Sequence, residues 1–290
     1  MQDLSLRGGT PDGAPISKRV QLAKGKTVEK ATGTQLLDRA VAILKFLGDV
    51  GEQGARSADL AEAVSLTQPT AHRIIGALER HGLIEREQAT RRYRLGLSLF
   101  VLGARAADGT GFRRICHPAL LRLAAQTGDT VFLMARSGFN TVCVDRQEGS
   151  YMIDSLTGQV GGQIPLGVGP ASQAILAFLT PKESEIILET NAPFYGSFNG
   201  LSDKEIADRL PEIREQGYAF DHGRLVEGIS AIAVPILPQG RDVAGSLAIN
   251  MTSARLQPER LPELIDLLRR EISAIEESIN PLDVAIKGNR

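Results

Sequence analysis

Between Leu66 and Arg105 the chain carries seven arginines, Arg73, Arg80, Arg86, Arg91, Arg92, Arg94 and Arg105, against three acids, Glu79, Glu85 and Glu87, and no lysine. An arginine presents a planar fork of donors that fits a phosphate or the acceptor edge of guanine, so this concentration suits a polyanion. Just ahead of the first arginine stand Gln68, Pro69, Thr70 and His72. A glutamine there can hold adenine through two hydrogen bonds, Arg73 can hold guanine or a phosphate, and the Thr70 hydroxyl suits a phosphate. Arg91, Arg92 and Tyr93 form a second group that would meet a duplex backbone or its minor groove. His72 has no second His or Cys at ligand spacing, so no metal site is expected there.

Other stretches invite a catalytic reading and fall short of it. Gly167-Val168-Gly169-Pro170-Ala171-Ser172 approaches a dinucleotide fingerprint, with Ser at the third glycine and Pro at the turn into the helix, and no acid at the proper distance follows. Gly228-Ile229-Ser230-Ala231-Ile232 lacks the last glycine of a nucleophile elbow. Cys116 and His117 are adjacent, so on a helix they point about 100° apart. Asp221-His222 fits acid/base work and ligand binding equally well. No enzyme activity and no cofactor are expected.

At 290 residues the chain is long enough for two domains of about 100–200 residues each. Its net charge of −1 conceals an asymmetry: residues 1–107 hold 16 Lys+Arg against 11 Asp+Glu, or +5, and residues 108–290 hold 17 against 23, or −6. The basic half is the one with the arginine cluster. Hydrophobic content of 42% and charged content of 23% are those of a globular protein. No apolar run reaches the roughly 18 residues of a membrane span. The first 33 residues are polar and lack an apolar signal core, so a disordered tail and a cytoplasmic protein are expected. Cys116 and Cys143 are too few for a disulfide framework.

The elements that must position these groups follow from periodicity. Leu37, Ala40, Val41, Leu44 and Leu47 make one apolar stripe on a helix over 34–48. Ser57 reads as the N-cap of a two-turn helix with Leu60, Ala61 and Val64 inward. Thr67 reads as the cap of a third, with Pro69 in its first turn, Ala71, Ile74, Ile75 and Leu78 inward, and Gly82 as its stop. Two helices joined by a tight turn make a helix-turn-helix, and alternation over 83–86 and 92–95 predicts a hairpin, or wing, after it. Leu97, Phe100, Val101 and Ala104 mark a further helix placed to act as a linker. Downstream, helices are predicted over 112–126, 171–179, 182–189, 203–216 (capped by Ser202) and 258–279, and strands over 130–135, 141–144, 151–156, 229–237 and 243–251. That mixture is an α+β domain on a largely antiparallel sheet.

These residues resemble the IclR family of bacterial regulators. The likeness lies in Leu37-Asp38-Arg39-Ala40, Leu66-Thr67-Gln68-Pro69-Thr70-Ala71-His72-Arg73, Leu78-Glu79-Arg80-His81-Gly82 and Tyr93-Arg94-Leu95-Gly96. Further on it lies in Pro165-Leu166, Ala174-Ile175-Leu176-Ala177, Gly217-Tyr218-Ala219, Gly228-Ile229 and Ala233-Val234-Pro235. It covers about residues 34–280. The resemblance implies a winged helix-turn-helix domain at 34–96, a linker helix at 97–110 and a GAF-like effector domain at 111–281, with tails at 1–33 and 282–290. It also implies a homodimer or homotetramer on a double-stranded operator and a small-molecule carboxylate effector. Carried over by motif, the effector site comprises Pro170, Ala171, Ser172, Asp221, Ile229, Ala231, Ala248 and Asn250, with Leu156 and Ile164 as apolar walls. Pro170 has no N–H to offer an oxyanion, and Ala231 and Ala248 stand where relatives place Cys or Ser. The expected ligand is therefore a carboxylate with a larger apolar or aromatic body, held by Ser172 and Asn250.

Overall fold

A computed structural model of the chain describes residues 34–153, 156–157, 159–238 and 242–279, with only the backbone course over 104–110. The expected tails, 1–33 and 282–290, lie outside the described residues. Contacts divide the chain into two compact units that meet between Arg105 and Ala106.

In the N-terminal unit, α1 (Gln35–Val50) turns Ile43 and Leu47 into the core. The stripe expected to be continuous is split: Leu37 and Val41, with Leu36 beside them, face outward, Leu37 at 64% exposure. Helix α2 (Ser57–Ala63) begins one residue earlier than expected, with Arg56 as cap and its N–H donating to the Asp59 carboxylate at 2.9 Å. Helix α3 (Gln68–Arg80) is capped by position at Thr67, whose hydroxyl meets the Thr70 hydroxyl at 3.0 Å. It ends as expected at Gly82, left-handed at φ +66, where Leu83 N–H reaches back to Leu78 O at 2.9 Å. The wing pairs β1 (Ile84–Arg86) with β2 (Tyr93–Leu95), Ile84 opposite Leu95. Ala55 adds a bridge to Tyr93 that ties the wing to the body. Helix α4 (Leu97–Thr110) follows.

The second unit opens with α5 (Phe112–Thr127) and a six-stranded sheet in which every neighbouring pair is antiparallel. Its strands are β3 (Thr130–Ser137), β4 (Asn140–Gln147), β5 (Gln163–Pro165), β6 (Ala219–Val226), β7 (Ile229–Ile236) and β8 (Gly245–Thr252), in the order β5-β4-β3-β8-β7-β6. Alternation splits each strand between two cores. Val131, Leu133, Leu247 and Ile249 pack against α5 and the last helix, α9 (Arg260–Ser278). Phe132, Met134, Ala233 and Ala248 face α6 (Pro170–Leu176), α7 (Pro181–Tyr195) and α8 (Asp203–Gln216). Both faces are covered, which explains why β7 and β8 read as continuous apolar runs. Ser202 caps α8 as expected, accepting the Glu205 N–H at 3.1 Å.

Two strand readings change. Residues 151–153 of the strand expected over 151–156 are not strand; Tyr151 N–H is used on Gly128 O at 2.9 Å, so the edge position passes to β5. Residues 154–155 lie outside the described residues, as do 239–241 of the expected β7–β8 turn. The polar β6, not expected, completes the other edge and carries a bulge between His222 and Val226.

Both cysteines are buried and unpaired. Burial, then the nearby Asp145 charge, pushes the Cys116 thiol up to about 12 and the Cys143 thiol up to about 11. A raised value leaves almost no thiolate, which is the reactive form, near neutral pH. A chromogenic disulfide reagent at about pH 8 is expected to titrate neither cysteine in the native protein and both after unfolding in urea; fast reaction of the folded protein would show the burial to be wrong.

Candidate nucleic-acid interface and ligand pocket

Helix α3 is divided lengthwise. Ala71, Ile74, Ile75 and Leu78 are buried, while Gln68, Pro69, His72 and Arg73 are exposed and Thr70 half-buried. The 3.6-residue period allows nothing else once the aliphatic side is packed. None of these exposed side chains is engaged by a protein carboxylate among the described residues. The face is polar, basic at Arg73, and free for a groove.

The wing separates the three residues expected there. Arg91 sits at the turn, exposed and left-handed at φ +56, its N–H on Glu87 O at 2.9 Å. Arg92 turns back to the body, Nη1 donating to Gly54 O at 2.9 Å. Tyr93 is a correction. It is only 5% exposed, packs in the core of the unit, and carries the Arg86 guanidinium 5.6 Å from its ring centroid. Its backbone exchanges hydrogen bonds with Ala55 at 2.7 and 3.0 Å, which ties the wing to the body and keeps the ring in the core. Arg94, in turn, is paired with Glu87 at 3.4 Å.

In the second unit a pocket opens over the α6 face of the sheet, with about 610 Å³ of empty space including its mouth. Its lining includes Leu156, Ile164, Pro170, Ala171, Asp221, Ile229, Ala231, Ala248 and Asn250, so nine positions expected from separate segments converge. Ser172 is the exception and a second correction. It is fully buried behind the lining; its Oγ accepts the Gly167 N–H at 2.6 Å and meets the Thr141 hydroxyl at 2.8 Å. That hydroxyl holds the loop and is not available to a ligand. Phe132, Met134, Leu225 and Val226 also line the pocket and were not anticipated. The alternation of β3 was the available signal for the first two; the last two depend on the β6 bulge.

The motifs that suggested catalysis are accounted for structurally. Ser230 is buried within β7, not on an elbow, and bonds His222 Nδ1 at 3.1 Å and Ser253 Oγ at 2.8 Å. His117 Nδ1 meets the buried Asp145 at 2.8 Å while Cys116 lies in the core on the α5 side.

Comparison with known proteins matches each of the two units to a known domain. The IclR helix-turn-helix domain matches residues 36–88, and the bacterial transcriptional regulator IclR C-terminal domain matches residues 104–277. The chain belongs to the IclR family. Among IclR-family proteins, the HTH-type transcriptional regulator KipR of Bacillus subtilis is 29% identical over 227 residues, covering 77% of this chain and 90% of that one. An IclR regulator structure from Alicyclobacillus acidocaldarius superposes with a TM-score of 0.71 at 26% identity, over 83% of this chain and 97% of that one. An IclR homologue from Microbacterium hydrocarbonoxydans, solved with 4-hydroxybenzoate, has the same fold, with a TM-score of 0.72 at 21% identity over 84% and 98%. These relatives place the winged helix and the curled antiparallel sheet of this chain in the IclR-family fold, and the curated ones are transcriptional regulators, not enzymes.

Because Tyr93 belongs to the core, its ring matters for folding and its hydroxyl does not. Tyr93→Phe is expected to keep wild-type thermal stability and DNA affinity, whereas Tyr93→Ala loses about 3–5 kcal/mol of the N-terminal unit's stability, both read by thermal denaturation and gel shift. A Tyr93→Phe protein that folds normally yet loses DNA would return the hydroxyl to the interface.

Proposed function

We propose that this chain is a sequence-specific DNA-binding transcription regulator whose operator affinity is set by a small organic acid in the C-terminal pocket. The observation that carries the DNA half is the lengthwise division of α3, with Gln68, His72 and Arg73 presented on a helix anchored by four buried residues. Gln68 and Arg73 read base edges, Pro69, Thr70 and His72 sit at the groove wall, and Arg91 reaches the backbone from the wing. Arg92 acts by holding the wing in place.

The pocket half rests on its lining, where apolar side chains dominate and the floor is made of Ala231 and Ala248. Such a floor leaves room for an apolar or aromatic body. The Microbacterium relative's 4-hydroxybenzoate is a ligand of that class. Asn250 remains as the amide that meets the ligand's carboxylate, since Ser172 is committed to its loop.

The regulator works as a homodimer or a pair of dimers. Leu36, Leu37 and Val41 on α1, with Leu97 and Phe100 on α4, are large exposed apolar side chains of the N-terminal unit. Burying them between two copies places two recognition helices on the half-sites of a palindrome. Ligand binding shifts the balance between operator-bound and free forms through α4, with a coupling of about 1–3 kcal/mol.

Arg73→Ala tests the assignment by gel shift against the DNA upstream of the protein's own gene and against random duplex. Specific affinity is expected to fall by about 1–3 kcal/mol, with a smaller loss on random DNA. Unchanged affinity on both would remove Arg73 from the interface.

A further inference from the structure

We infer that the pocket selects an acid that carries a hydrogen-bond donor, a hydroxyl or an amine, at the end remote from its carboxylate, and that Asp221 receives that donor. The inference rests on the proposed effector reading and adds a polarity to it.

Asp221 is 6% exposed and lines the pocket. Its Oδ2 accepts the N–H groups of Arg224 at 3.1 Å and Leu225 at 3.2 Å, across the β6 bulge. Oδ1 has no partner among the described residues. A carboxylate fixed by two backbone donors, with its second oxygen unused, offers acceptor capacity and nothing else. No Lys, Arg or His is among the described residues lining the pocket. The neighbouring Arg146 guanidinium lies outside that lining, 5.5 Å from the Phe132 ring centroid, donating to Ile153 O at 3.2 Å and paired with Glu148 at 2.9 Å. A ligand carboxylate set against Asp221 would place two anions side by side in a mostly apolar site with no cation among its described lining residues to offset them. The acid must therefore point the other way.

The sheet supplies a place for it. Asp221 stands opposite Ala231, and Ala231 opposite Asn250, on three successive strands. Two interstrand spacings separate Asp221 from Asn250 by about 10 Å between Cα atoms. Only the methyl of Ala231 intervenes. The Asn250 side-chain amide is half-buried, lines the same pocket and has no partner among the described residues. It can donate to a carboxylate while Asp221 accepts from a hydroxyl, with one six-membered ring lying between them over Ala231 and against Phe132. Ala248, the next floor residue, adds no polar atom. A site whose unpaired acceptor needs a donor rejects the analogue that lacks one.

The experiment measures binding of five para-substituted benzoates to the full-length protein by calorimetry: hydroxy, amino, methoxy, unsubstituted and carboxy (terephthalate). The expected result for wild type is that the hydroxy or amino acid binds at least about tenfold tighter than the methoxy and unsubstituted acids, with terephthalate weakest. Asp221→Ala is expected to bring the hydroxy, methoxy and unsubstituted acids within about threefold of one another. Asp221→Asn removes the charge, keeps the shape and holds the fold if the alanine variant does not; it is expected to raise affinity for terephthalate, which a merely structural aspartate would not do. Equal binding of the hydroxy, methoxy and unsubstituted acids by wild type, or selectivity unchanged in Asp221→Asn, would overturn the inference and leave the acid-binding pocket standing. Binding of none of the five by a protein that still shifts DNA would instead bring down the effector reading itself.

Discussion

The N-terminal unit depends on how one thirteen-residue helix is held. Ala71, Ile74, Ile75 and Leu78 go into the core of that unit with Ile43, Leu47, Leu60, Ile84 and Tyr93. Each large aliphatic side chain so buried contributes about 1.5–3 kcal/mol, and the unit is small enough that few other sources of stability exist. Fixing that face fixes the opposite one. Gln68, His72 and Arg73 acquire a defined direction without any hydrogen bond of their own, which leaves their donors for a partner. The wing is held by the same economy: the inward Tyr93 ring, its bridge to Ala55 and the Arg92 bond to Gly54 stiffen a hairpin of two three-residue strands that would be marginal alone.

The second unit solves a different problem, that of leaving a hole in a covered sheet. Large residues fill the α5 and α9 side, where Leu133, Leu247 and Ile249 meet Leu123 and Leu268. On the other side alanines stand at positions 231, 233 and 248 in neighbouring strands, and the floor is low where the pocket lies. The buried Asp129, just ahead of β3, is clamped by Arg255 at 2.7 Å and Arg260 at 2.6 Å, two cations that offset the cost of hiding its charge. Asp221, the one ionisable residue among the described residues that line the pocket, is held by backbone donors of a bulge, so its direction is set before any ligand arrives.

Much of this was legible in the residues, for local reasons. A 3.6-residue period showed which side of α3 is buried, and Gly82 showed where it stops, because both follow from helix geometry alone. The converging pocket positions were legible through family motifs and not through periodicity. Tyr93 was misread because its burial depends on Ala55, 38 positions earlier in the chain. The α1 stripe was read as single, yet Leu37 and Val41 find no core within the described unit. Ser172 looked like a ligand contact until Gly167 and Thr141 were seen to take its hydroxyl. Strand β6 was hidden by its polar, bulged sequence, which breaks the two-residue alternation that marks a strand.

The central claim is that the outward side of α3 enters a duplex groove, and affinity cleavage tests it most directly. His72→Cys supplies a single reactive thiol, because Cys116 and Cys143 are buried, and an iron chelate attached there cuts nearby sugars. On DNA enriched by the protein from a random pool, cuts are predicted in two compact clusters, their centres about one helical turn of 10 base pairs, or a multiple of it, apart. Evenly spread cuts, or none, in a complex that otherwise forms normally would contradict the account.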